Sequence, residues 1–121
     1  MMDDRMKELI KRLHEQTANG KVVWEKTADK ATFQASFSTY AIRISSKYGL
    51  AEAVYEVSIY DKDGDVVESA DTDNSWEGWE GSNSLPPETH RMVADLYARA
   101  RRMALDVDQA LDTLLETLAS R

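Results

Sequence analysis

"AVYEVSIYDKDGDVVESA", residues 53–70, decides the fold. Its first half alternates, with Tyr55, Val57 and Ile59 on one face and polar residues between them. Alternation at period two is the pattern of a half-buried strand. "DKDGD" at 61–65 then supplies an Asp-Gly pair, and glycine tolerates the positive φ that a tight hairpin turn demands. "VVESA" at 66–70 is the returning strand. The stretch is therefore a β-hairpin, and the sheet that contains it is antiparallel.

Working outward, the same period recurs. "TYAIRIS" (39–45) sets Tyr40, Ile42 and Ile44 against Ala41 and Arg43, and "TFQASF" (32–37) sets Phe33, Ala35 and Phe37 against Thr32, Gln34 and Ser36. One face is apolar and the other mostly polar, as in a sheet covered on one side. "KVVWEKT" (21–27) reads as a short first strand bearing Trp24, and "SKYGLAE" (46–52) as a loop. Five strands in sequence give a meander over 21–70.

Helical spacing takes over at both ends. Met6, Leu9, Ile10 and Leu13 fall on one face of a helix over 3–18, which "ANG" (18–20) terminates. After "LPPE" at 85–88, Met92, Val93, Leu96, Tyr97, Ala100, Met103 and Ala104 form another apolar stripe. Prolines suit the first turn of that helix. Asp106 is a candidate N-cap for a further helix, with Gln109 completing a capping box, and Val107, Leu111, Leu114, Leu115 and Leu118 are expected to be its buried stripe. The expected architecture is α+β in one domain of 121 residues. An N-terminal helix precedes an antiparallel meander of about five strands. One long or two consecutive C-terminal helices over 86–120 pack on one sheet face, over Phe33, Phe37, Ile42, Ile44, Val57 and Ile59.

Composition narrows the function. There is no cysteine, which removes disulfides, thiolate zinc sites and cysteine nucleophiles together. The formal net charge of -7 repels phosphate, so nucleic acid is an unfavoured partner, as is an anionic membrane surface. The opening "MMDDRMKELIKRL" breaks any apolar run with charges, so neither a secretory signal nor a membrane span is expected, and the cytoplasm is the expected compartment.

No motif carries chemistry. "DKDGD" has its glycine at the fourth position, where a calcium loop of the EF-hand type needs it at the sixth, so it reads as a plain turn. His14 and His90 sit on different helices with no neighbour at metal spacing, and surface positions are expected for both. No nucleophile elbow, phosphate loop, dinucleotide fingerprint or zinc-protease signature occurs. The sequence thus leans away from an enzyme without excluding one, and calls for no metal or cofactor. Arg91, Arg99 and Arg102 share a helix face that could contact an anion, although Asp95 at i+4 and i−4 offers Arg91 and Arg99 a local partner. Asp108, Asp112 and Glu116 form an acidic stripe that could meet a basic partner or simply face water. "DTDNSWEGWEGSNSL" (71–85) places Trp76 and Trp79 in an acidic loop, either anchoring it or waiting for a partner.

The cadence "ANGKVVWEKT", "TFQASF", "YAIRIS", "VSIYDKDGDVV", "LYARARRMALDVDQALDTLLETL" resembles that of a group of small bacterial α+β proteins of unassigned role. The resemblance implies a cytoplasmic bacterial or phage-borne domain. It brings no activity and no functional residues. The expected function is a non-enzymatic interaction or small regulatory domain that binds protein, either itself or another chain, through the Trp76/Trp79 loop and its acidic surface. Two alternatives are a ligand-binding or enzymatic domain with a pocket between sheet and helices, and a nucleic-acid-associated regulator using the arginines.

Overall fold

The computed structural model describes residues 4–48, 53–72 and 85–119. Its elements are α1 (Asp4–Ala18), β1 (Glu25–Lys26), β2 (Thr32–Ser36), β3 (Tyr40–Tyr48), β4 (Ala53–Asp61), β5 (Val66–Asp71), α2 (Pro87–Ala104) and α3 (Val107–Ala119). The five strands form one sheet in sequence order, each antiparallel to the next, so the meander is observed. The fold is α+β, with the N-terminal helix before the sheet and the two C-terminal helices after it.

Register follows from alternation. Phe33 lies opposite Ile44, Ile44 opposite Val57, and Val57 opposite Ala70. This row crosses four strands, and all four residues are buried. A one-residue slip would turn the whole row to the other face, which is why the register is well specified. At the 61–65 turn, Gly64 has φ 85, and the Asp61 carboxylate accepts from the amides of Asp63 and Asp65.

α2 lies across the apolar face. Val93, Leu96 and Ala100 are buried against it. Tyr97 packs its ring 5.6 Å from Phe33 and 5.2 Å from Tyr55, and its hydroxyl donates to the Ala31 carbonyl. That burial raises the Tyr97 pKa. α1 rests on α2 and buries Met6, Ile10, Leu13 and Thr17. It stops as its sequence requires. Gly20 takes φ 75, its amide bonds the Thr17 carbonyl, and the Lys21 amide bonds the Gln16 carbonyl. This is the Schellman closure that a left-handed residue permits.

Four expectations about strand ends and burial need correction. The first strand is only Glu25–Lys26, though Val22 and Trp24 before it are buried. β3 runs on to Tyr48, three residues into the expected loop. Phe37 is half exposed at 50%, because β2 ends at Ser36 and the chain has already entered the turn closed by the Phe37 amide on the Tyr40 carbonyl. The stripe expected to be buried on the last helix is open: α3 has no buried residue, and Leu111, Leu114, Leu115 and Leu118 are 46–65% exposed. α3 touches α2 alone among the elements.

The break at Asp106 is real, but its chemistry differs from the capping box. Asp106 has φ 53, and its amide bonds the Met103 carbonyl. It closes α2 in the position that glycine usually takes, and its carbonyl accepts from the Ala110 amide, so its backbone both ends α2 and begins α3 although the capping box does not form. Gln109 turns instead to the Thr113 hydroxyl.

Candidate functional site

Among the described residues, two apolar surfaces lie open to solvent. The first is the face of α3. Leu111, Leu114, Leu115 and Leu118 recur at helical spacing, so they line one side of the rod. Asp108, Asp112 and Glu116 run along the adjoining flank at intervals of four. No Lys or Arg occurs from Val107 to Ala119. Contiguous exposed apolar patches are uncommon on proteins that act alone.

The second is a groove of about 550 Å³ between α1 and the hairpin end of the sheet. Leu9, Arg12, Leu13 and Gln16 form its helical wall. Phe37, Tyr40, Ile42, Ile59 and Val67 form its sheet wall. The groove exists because α2 covers the middle of the apolar face and α1 leans on α2. Among the described residues, Phe37, Tyr40 and Val67 near the β2–β3 and β4–β5 turns stay about half exposed. The bulge between Ile59 and Tyr60 puts one extra residue in β5 there, which lets Val67 join this wall.

The arginine face meets acids in two separate clusters, one of which includes the first acid of the α3 stripe. Arg102 donates from Nε and Nη2 to Asp108 Oδ1, at 3.1 and 2.6 Å, and so ties the first turn of α3 to the last turn of α2. Arg99 donates to Asp95 at 2.7 Å. The second partner of Asp95 is His14 Nε2 on α1, at 2.6 Å, and not Arg91. Arg91 is exposed on α2. Hydrogen bonds from Arg99 first and His14 second hold the Asp95 carboxyl below the ordinary carboxylate range. Arg99 and Arg102 are thus each engaged by an acid, which breaks up the positive face that an anion would need. Asp112 and Glu116 are exposed along α3.

The histidines are structural in their contacts. His14 is half-buried and bridges α1 to α2, where a surface position was expected. No serine or threonine hydroxyl bonds its ring among the described residues, so the His14–Asp95 pair has no nucleophile to activate. His90 Nε2 lies 2.9 Å from the Leu85 carbonyl and ties the start of α2 to the segment before it. No group of three metal-ligating side chains occurs among the described residues. No helix among them is long and apolar enough to cross a membrane. Trp76 and Trp79 lie within 73–84, outside the described residues. The ends of that segment are described: the Thr72 amide bonds the Tyr55 carbonyl, and the Leu85 amide returns to the Asp71 carbonyl at 2.6 Å.

A pocket between sheet and helices was an alternative reading of the sequence, with none of the groove's lining named for it, and the open leucine face was missed. Amphipathic spacing says which side of a helix is apolar, not whether anything covers it. The one available signal was the Phe37–Tyr40 pair, two aromatics flanking a Ser-Thr turn.

Comparison with protein-family models, with curated proteins and with solved structures finds no match.

Proposed function

We propose that this chain is a non-enzymatic interaction domain that presents α3 to a protein partner. The observation that carries the reading is a helix that buries none of its own residues while exposing four leucines on one side. Burying one leucine is worth about 1.5–3 kcal/mol. A stripe of four is a strong latent contact, provided a partner supplies a complementary apolar surface. Asp108, Asp112 and Glu116 along one flank favour a partner with basic residues beside that surface and speed the encounter. The absence of Lys and Arg from α3 sets it apart from helices that lie on anionic lipid. The acidic segment holding Trp76 and Trp79 belongs to the same reading as a second contact, because tryptophan is enriched at interface centres. The bacterial or phage-borne origin implied by the resemblance is part of the proposal too.

The test replaces Leu111, Leu114, Leu115 and Leu118 together by Ser. At low protein concentration the variant should melt close to the wild type, because these side chains are already in water. Affinity purification from source cells should then lose a protein that the wild-type chain retains. Collapse of the variant's melting transition, or an unchanged set of co-purifying proteins, would overturn the reading.

A further inference from the structure

Resting on the reading of α3 as a docking helix, we infer what it docks on: the α1–sheet groove of a second copy, in a reciprocal exchange that gives a two-fold dimer. The described residues expose two apolar surfaces, and each has the form the other lacks, one a ridge and one a furrow. Among the described residues the large exposed hydrophobics fall at the groove's hairpin rim (Phe37, Tyr40, Val67) or at the α2–α3 end, with Val23 and Val66 the exceptions. Length agrees. Leu111 to Leu118 advances seven residues along α3, and Leu9 to Gln16 advances seven along the groove wall, roughly 10 Å in each case.

Charge agrees as well. α3 carries three acids and no base, while the charged side chain lining the groove is Arg12. Arg12 is largely exposed and bonds Glu8 within its own helix, so its guanidinium stands at the rim. Pairing α3 antiparallel with another α3 would be worse. Such pairs bring like flanks together, and Asp108, Asp112 and Glu116 would face their own equivalents.

The groove's occupant is not the chain's own α3. The connector from Ala104 to Val107 is two residues, Asp106 caps α2, and Arg102 grips Asp108. These features hold α3 off the end of α2, away from the sheet. A helix held off its own chain's core on a short hinge is the arrangement that favours exchange of identical elements between copies. Exchange in both directions closes the assembly at two, so no chain of copies grows.

The experiment is sedimentation equilibrium on the full chain and two variants, each first checked for native circular dichroism. One variant carries Leu114→Glu and Leu115→Glu; the other carries Phe37→Glu and Tyr40→Glu at exposed rim positions. The wild type is expected to be dimeric, and each variant alone to weaken the dimer by at least about tenfold, as substitutions at interface centres do. An equimolar mixture of the two variants is expected to recover a dimer of intermediate strength, because one intact ridge still meets one intact groove. If the rim variant does not fold, Arg12→Glu takes its place, with a smaller loss expected. A monomeric wild type overturns the inference, as does a rim variant that dimerises normally, or a mixture that stays monomeric. A monomeric wild type that still loses a co-purifying protein on Ser substitution of the stripe would overturn the second copy alone and leave the docking reading standing.

Discussion

Trp24 shows at the scale of one residue how the fold fixes its own first strand. The indole is 2% exposed, and its Nε1 donates to the hydroxyl of Thr17, itself 4% exposed, at 3.1 Å. A buried donor must keep its acceptor. Thr17→Val preserves shape and removes that acceptor, so it should destabilise by about 1–3 kcal/mol in urea titration followed by far-ultraviolet circular dichroism. Thr17→Ser, which keeps the oxygen, should lose less. Asp95 offers a second test. Its folded pKa lies below its ordinary value of 3.8, through Arg99 and then His14. A depressed acid contributes stability that is fully present above the unfolded value and is lost as pH falls through the folded one. Asp95→Asn should therefore melt below the wild type at neutral pH, and the gap should narrow as pH drops below about 3.8. A gap of constant size across that range would show that the ionised carboxylate is not what couples α1 to α2.

Among the elements, the α2–α3 junction behaves unlike the rest, and Asp106 decides it. Aspartate tolerates the left-handed region better than most residues, whereas a β-branched side chain there is a genuine outlier. Asp106→Val should cost about 1–2 kcal/mol at the junction. Since α3 adds nothing to the core, the loss should appear as faster amide exchange across 107–119, with α2 and the sheet keeping their protection. Slower exchange in α3, or equal acceleration in β3 and β4, would contradict this. The same contrast explains what the sequence could and could not tell. Strand pairing was legible because alternation and short turns are local: Phe33, Ile44 and Val57 declare a face, and Asp-Gly declares the hairpin. The end of α1 was legible because Asn19-Gly20 encodes its own closure. Phe37 was misplaced because alternation does not announce where a strand stops. The α3 leucines were misplaced because their pattern is the same whether a core or a partner covers them. Asp106 was found as the start of α3 but not as the left-handed closure of α2, since an aspartate between helices can serve both ends.

For the whole molecule, the division between a closed core and an open ridge makes stability a readout of assembly. Met6, Ile10, Trp24, Phe33, Ile44, Val57 and Leu96 belong to one buried cluster, together with Leu85 at the entry to α2. Leu96 is fully buried there, so Leu96→Ala should cost about 2–5 kcal/mol, in a chain alone or assembled. α3 stands outside this cluster. A chain ending at Asp106 should keep a single cooperative transition, with its midpoint independent of protein concentration. The full chain should differ. If a second copy binds the folded state and not the unfolded one, mass action raises the melting temperature as concentration rises. Differential scanning calorimetry over a hundredfold concentration range would separate the two, with an upward drift for the full chain and none for the shortened one. Leu96→Ala in the full chain should fall at every concentration while keeping the drift, because it weakens the core and leaves the ridge and groove intact. If the full chain shows no drift, α3 does not pair copies. If the shortened chain loses its cooperative transition, α3 belongs to the fold after all.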